Sequence, residues 1–322
     1  MACIATQRVG AAHATRTSTP FTPKRSPSRP SPATREFRSR AGRLTTRAQG
    51  VDDTELRSWI VERGGYIHEG LKLVDEAPCG ARGVVAVEDI SLEEVSSRPL
   101  MLIPAAMELT LEKALAILEP LVPASVLARA PLHTLDAGAL VALLIAHERR
   151  KGSDSSWWPY LSALPEPVSC AWALPVPQVM QRMEDLSARG IDTQGWTQEL
   201  DAAQRYLTAV SHGMCQDYGE YLDITPDDVK WGIGIMSSRG YGGELRPGLV
   251  PYIDMVNHNA RSTPFIWTDA NLDQQALYAV WSTWDTEPRP LKAGDEVYVD
   301  YKFESLGPLD AFMSHGFVPQ EM

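Results

Sequence analysis

The chain has 322 residues, 44% of them hydrophobic and 22% charged, which calls for a globular body with a packed core, as one large domain or two smaller ones. Its net charge of −11 hides an asymmetry: residues 1–50 hold ten Lys/Arg against the single acid Glu36, leaving twenty basic and forty acidic residues in the remainder. A body carrying about −20 repels phosphates, which excludes non-specific nucleic-acid binding and suits a basic partner such as a lysine-bearing protein. No apolar run approaches the ~18 residues of a membrane-spanning helix, and Cys79, Cys170 and Cys215 are too scattered for a disulfide framework or a zinc pattern.

Residues 1–50 are rich in Ser, Thr, Ala, Arg and Pro, the composition of an organellar transit peptide, and Pro20, Pro23, Pro27, Pro30 and Pro32 break any long amphipathic helix. That favours a chloroplast leader over a mitochondrial one, with processing near Thr46–Gln49 and delivery to the reducing stroma. A first helix is predicted over 54–63, with Leu56, Trp59 and Ile60 on one face, Asp52, Asp53 and Thr54 as caps and Gly64-Gly65 as the stop. Short strands follow at Leu71–Val74, Val84–Val87 and Val95–Ile103, the last closed by Pro104.

From about 110 to 245 the pattern turns helical. Leu111, Ala114, Leu115 and Leu118 share a face, and Leu140 to Ile145 belong to a helix ended by Arg149, Arg150, Lys151 and Gly152. Leu200, Ala203, Tyr206, Leu207 and Val210 form another stripe. Thr225-Pro226-Asp227-Asp228 is a helix start, with Val229, Ile233 and Met236 as the buried stripe. Strands resume at Phe265–Thr268, Leu277–Trp281 and Glu296–Tyr301.

Two segments carry most of the functional information. Leu249-Val250-Pro251-Tyr252-Ile253-Asp254-Met255-Val256-Asn257-His258-Asn259 is an apolar run ending in Asp, Asn and His, and Gly294-Asp295-Glu296-Val297-Tyr298-Val299-Asp300-Tyr301 is an alternating strand ending in Tyr. On residue chemistry alone, Asn257-His258-Asn259 reads as a loop cap and Tyr301 as a packed strand residue. Together the two segments resemble the paired signature of SET-domain protein methyltransferases, in particular the Rubisco large-subunit methyltransferase-like family. Gly80-Ala81-Arg82-Gly83-Val84, Asp89-Ile90, Ile103-Pro104, Trp158-Pro159-Tyr160-Leu161 and Ser237-Ser238-Arg239 fit the same family, so the resemblance covers about residues 55–319.

The resemblance implies an α+β fold: small β-sheets with a knot-like crossing, an N-terminal SET part over 51–105, a helical insert over 106–235 and a C-terminal SET part over 236–322. It implies S-adenosylmethionine held by Arg239, Asn257, His258, Asp254 and the backbone at Arg82–Gly83, with Tyr301 lining the methyl-transfer channel as the catalytic residue. A guanidinium suits the methionine carboxylate, and Asn offers both a donor and an acceptor to the α-ammonium. Asp254 is expected to organise the loop, and Trp158-Pro159-Tyr160-Leu161 to serve packing alone. The chemistry needs no metal.

The sequence departs from the family in three places. His315-Gly316-Phe317 stands where the family has Tyr-Gly-Phe, adding a group that ordinarily titrates near neutral pH. Ser305-Leu306-Gly307-Pro308-Leu309 lacks the family's Asn. The chain stops at Met322, so the helical C-terminal substrate-binding domain of the family is expected to be absent. The reading that follows is a plastid protein-lysine N-methyltransferase, with Rubisco large subunit or aldolase as candidate substrates. A protein-histidine methyltransferase and a non-catalytic SET-like binding module are the rivals.

Overall fold

Asp52 opens the body of the protein by accepting the Thr54 N–H at 3.0 Å, which starts α1 (Thr54–Glu62) and sets Leu56, Trp59 and Ile60 into the core. The structure, a computed structural model, describes residues 52–242, 246–268, 277–303 and 306–320. The expected leader at 1–50 and the Ser305 departure lie outside the described residues.

Strands β1 (Tyr66–Ile67), β2 (Leu71–Val74) and β3 (Gly83–Ala86) follow, with β2 and β3 antiparallel from Leu71↔Ala86 to Val74↔Gly83. The strand predicted over Val95–Ile103 is replaced by a helix and a shorter strand, α2 (Leu92–Ser97) and β4 (Met101–Pro104). A reciprocal cap decides this: Ser91 Oγ accepts the Glu94 N–H at 3.2 Å, and Glu94 Oε2 accepts the Ser91 N–H at 2.8 Å. Val95 is buried all the same, from a helix face.

β5 (Leu109–Thr110) then leads into α3 (Leu111–Leu118), α4 (Ala124–Arg129), α5 (Ala137–Arg150), α6 (Trp158–Leu161), α7 (Val176–Ala188), α8 (Trp196–Leu222) and α9 (Pro226–Arg239). Helix α5 is capped by Asp136, whose carboxylate accepts the Gly138 and Ala139 N–H groups, and residues 138–146 are all buried. A helix apolar on every side belongs in the middle of a body, and α3, α6 and α9 pack around it. Helix α9 starts on a second reciprocal cap between Thr225 and Asp228, and Val229, Ile233 and Met236 are buried as the periodicity predicts.

The C-terminal elements are β6 (Gly248–Leu249), β7 (Asn257–His258), β8 (Ile266–Thr268), β9 (Leu277–Val280), β10 (Thr283–Trp284), β11 (Glu287–Pro288), β12 (Tyr298–Val299) and α10 (Pro308–His315). A four-stranded antiparallel sheet runs β1-β4-β9-β8, with Met101 opposite Val280. Pairs β5-β6 and β10-β11 are antiparallel, whereas β7 and β12 run parallel. β12 is shorter than the predicted Glu296–Tyr301, because the Asp300 carboxylate accepts the Lys302 N–H at 2.8 Å and turns the chain. A second core brings α7 and the start of α8 against α10: Val179, Met183, Leu186, Trp196 and Leu200 pack with Phe312, Met313 and Val318. The architecture is therefore α+β, small sheets with a helical block, as the resemblance implied.

Candidate active site

The site begins where the chain crosses itself. Parallel pairing sets Tyr298 beside Asn257 and Val299 beside His258, and the Asn259 N–H donates to the Val299 carbonyl at 3.1 Å. Beyond the pair, the Tyr301 N–H donates to His258 Nδ1 at 3.1 Å. The turn entering this crossing is strained: Tyr252, fully buried, sits at φ 69°. A non-glycine residue there costs of order 1–3 kcal/mol and persists only when its surroundings hold it. The Tyr252 hydroxyl donates to Asp53 Oδ2 at 2.7 Å, and the same oxygen accepts the Leu73 N–H at 3.0 Å, so the N-terminal helix pins the turn.

Asn257 gathers one wall. Its Nδ2 donates to the Arg82 carbonyl at 2.9 Å and to Glu296 Oε1 at 2.7 Å, and lies 3.2 Å from Cys79 Sγ. Glu296, 2% exposed, also accepts the Cys79 N–H and the Tyr298 hydroxyl. Gly83 must be glycine: a Cβ there would stand 2.5 Å from Asn257 Nδ2 and 2.7 Å from Glu296 Oε1. The Arg82 guanidinium turns away to Asp75 and the Ala163 carbonyl, so Arg82 and Gly83 face the wall through their backbone alone. Cys79 is exposed as a residue, yet partial burial of its thiol, then the Glu296 charge, pushes the thiol up to about 11.

Arg239, Asp254 and Tyr160 form the floor. Arg239 Nη1 donates to the Asp254 carbonyl at 2.7 Å, and the Tyr160 hydroxyl donates to Asp254 Oδ2 at 2.7 Å. Arg239 Nε and Asp254 Oδ1 are buried with no hydrogen-bond partner among the described residues. Burial raises the Asp254 carboxyl to about 6, against the pull of Arg239 and Tyr160. Tyr160, read from the sequence as packing, is a polar member of the site. Its sequence signal was its place in the Trp158-Pro159-Tyr160-Leu161 segment, which does not distinguish packing from a polar contact.

Tyr301 stands among aromatic rings. Its hydroxyl donates to the Val256 carbonyl at 2.6 Å, and burial holds the phenol above its ordinary range. The Val256 carbonyl that it reaches belongs to the segment that joins Asp254 of the floor to Asn257 of the wall. His258, Phe303 and His315 surround the ring at centroid distances of 5.4, 5.6 and 5.8 Å. His315 is 6% exposed, and burial, reinforced by His258, lowers it to about 3. The expectation of a group titrating near neutral pH is thereby corrected: the imidazole stays neutral because its surroundings cannot solvate the cation. The structure thus brings Arg82, Gly83, Arg239, Asp254, Asn257, His258 and Tyr301 together. Glu296 and Tyr160, which lie inside motif segments but were assigned no chemical role there, join them, as does Phe303, which no motif contains.

No family model matches the chain. It is 27% identical over 189 residues to the chloroplastic ribulose-1,5-bisphosphate carboxylase/oxygenase large subunit N-methyltransferase of Nicotiana tabacum, an alignment covering 55% of this chain and 36% of that protein. Among solved structures it superposes on the SET domain of LSMT bound to lysine and AdoHcy with a TM-score of 0.59 at 20% identity, covering 83% of this chain and 56% of that one. The fold is that of a SET domain. Rubisco LSMT bound to AdoMet gives a TM-score of 0.57 over the same shares of both chains. The chain thus spans about half the length of the solved SET structures it matches. No described helix is long and apolar enough to cross a membrane.

Proposed function

We propose that the chain is an S-adenosylmethionine-dependent protein-lysine N-methyltransferase acting on a plastid protein. The observation that carries this reading is the β7–β12 crossing: Asn257 and His258 pair in parallel with Tyr298 and Val299, the Tyr301 N–H donates to His258 Nδ1, and the Tyr301 hydroxyl donates to the carbonyl of Val256, which lies in the chain between Asp254 and Asn257. The residues suit the cofactor: a buried guanidinium nitrogen without a partner among the described residues, Arg239 Nε, fits a carboxylate, and Asn257 lies against the close-approach glycine. S-adenosylmethionine, when bound, supplies a methyl group on a positively charged sulfur. His258 supports the crossing through the Tyr301 N–H, and Asp254 organises the floor.

The chain's own groups then have defined work. Tyr301 keeps its proton at every physiological pH and commits it to Val256, so the ring presents oxygen lone pairs and a π face to a cation and offers no competing nucleophile. The ring cluster of Tyr301, Phe303, His258 and His315 keeps water from the acceptor nitrogen, which enters deprotonated after giving its proton to solvent. The acidic body favours a lysine-bearing protein, and the leader composition together with the chloroplastic relative supports a plastid setting. Rubisco large subunit and aldolase are the first substrates to try.

The test is isotope-labelled methyl transfer from S-adenosylmethionine into stromal extract, comparing the chain with Tyr301→Phe. A discrete labelled protein that fades in the variant, with the label on lysine, is the expected result. Label on histidine would move the assignment to a histidine methyltransferase. Cofactor binding by calorimetry with no label under any condition would leave a binding module.

A further inference from the structure

One short stretch, residues 156–163, touches three parts of the site's surroundings at once. Trp59 Nε1 of α1 donates to the Ser156 carbonyl at 2.9 Å, the Tyr160 hydroxyl to Asp254 Oδ2 at 2.7 Å, and Arg82 Nη1 to the Ala163 carbonyl at 2.6 Å. The first contact reaches the helix that pins Tyr252, the second the floor and the third the wall. Inside the stretch the backbone closes on itself. The Tyr160 and Leu161 N–H groups donate to the Trp157 carbonyl, the Ser162 N–H to that of Trp158 and the Ala163 N–H to that of Tyr160, all at 2.9–3.1 Å. Pro159 sits in the first turn of α6, and Tyr160, Leu161 and Leu164 are buried in the main core.

Tyr160 and Ala163 are about one turn apart, so floor and wall are held by the same turn of backbone. The chain itself also joins them, from Asp254 through Val256 to Asn257. One link leaves two bodies free to turn about it; a second fixes their relation. Arg82 suits the second link because its fork holds two acceptors. Nη2 donates to Asp75 Oδ1 at 2.9 Å, steadying the loop that leads to Gly83, while Nη1 reaches Ala163. The Asp75 pair is partly exposed and contributes little by itself. The Ala163 bond joins parts of the chain 81 positions apart.

We propose that the Arg82 side chain is a positioning residue for the cofactor: through Ala163 it makes residues 156–163 a strut that presets the wall against the floor. This rests on the methyltransferase reading above, and it gives the guanidinium a role separate from that of the Arg82 backbone. A ligand that bonds both to Arg239 on the floor and to the Asn257–Gly83 wall binds more tightly when the two are already in register, because their ordering is complete before it arrives. Cutting either end of the strut, at Arg82 or at Tyr160, releases the same constraint. The two ends are therefore coupled through the stretch between them, although the hydrogen bonds they make are separate.

The experiment has two arms. In calorimetry, Arg82→Met and Tyr160→Phe should each weaken S-adenosylmethionine binding about tenfold, the loss of one hydrogen bond. The double variant should bind about as weakly as the worse single one, since a strut cut at one end no longer constrains the other. A fall of about a hundredfold, the product of the two, means independent contacts and overturns the proposal, as does unchanged affinity in Arg82→Met. Arg82→Lys keeps a donor for Ala163 and should recover most of the loss. Asp75→Asn should stay within about twofold of wild type; a loss as large as that of Arg82→Met would place the effect in the loop and overturn the strut. The second arm is hydrogen exchange of the protein without cofactor. Arg82→Met should speed exchange at Asp254 and Met255, and Tyr160→Phe at Ala77 and Cys79, at least about fivefold, with α8 unchanged. Faster exchange confined to the mutated end overturns the proposal. If the wild-type protein binds no S-adenosylmethionine, the methyltransferase reading fails, and hydrogen exchange alone decides whether residues 156–163 join wall to floor.

Discussion

The Tyr160 hydroxyl reaches Asp254 Oδ2 at 2.7 Å across 94 positions of sequence, tying the helical block to the loop that enters the crossing. Asp254 is the acid most exposed to the consequences. Its folded value of about 6 lies above the ordinary 3.8, so its contribution is fully favourable below pH ~3.8 and is lost as pH rises through about 6. Asp254→Asn should therefore be more stable than wild type at pH 8, by on the order of 2 kcal/mol, and show no such gain at pH 4. Denaturant midpoints of the two proteins at both pH values check this; an equal difference at both would show that the buried charge is not the cause.

His315 behaves in the opposite sense. Its folded value of about 3 lies below the ordinary 6.5, so the folded state gains from it above pH ~6.5 and loses that gain as pH falls toward 3. His315→Phe should remove part of the acid lability in that window. Melting temperatures from pH 7 down to 4 should fall less steeply in the variant, and the wild-type His315 resonances should not titrate between pH 5 and 8.

Gly83→Ala places a methyl 2.5 Å from Asn257 Nδ2 and 2.7 Å from Glu296 Oε1, both held by other bonds. We expect a loss of about 1–3 kcal/mol in stability and at least a tenfold loss of S-adenosylmethionine affinity by calorimetry. Unchanged affinity in a folded variant would remove Gly83 and Asn257 from the cofactor site.

Tyr252→Phe deletes the bond that pins the strained turn to Asp53. The Asp53 carboxylate keeps the Leu73 N–H, so the fold should survive with a loss of about 1–2 kcal/mol. Hydrogen exchange at Asp254, Asn257 and His258 should rise more than exchange in α5.

Much of this was legible in the sequence, for local reasons. Helix α9 announced itself through Thr225, Pro226 and Asp228, which act within one turn, and α1 through its caps and its stripe. Helix α2 was lost because Val95 and the apolar residues after Ser97 look like a strand, while the decisive Ser91–Glu94 cap lies just ahead of them. β7, two residues long, has no periodicity to detect, so Asn257 and His258 were found only through a motif. The neutrality of His315, the roles of Glu296 and Tyr160, and the strain at Tyr252 depend on contacts tens to hundreds of positions away. No window of sequence contains them.

The pairing of β4 with β9 sets a delay during synthesis. Met101 finds its partner only when Val280 has left the ribosome, and on its other side β4 has only the two-residue β1. At roughly 5–20 residues per second the intervening chain takes on the order of ten to thirty seconds to appear. Throughout that interval an apolar strand, Met101-Leu102-Ile103-Pro104, waits with an open edge. A nascent chain of this kind is a client for holding chaperones, and its yield on expression should respond to their supply more than to temperature.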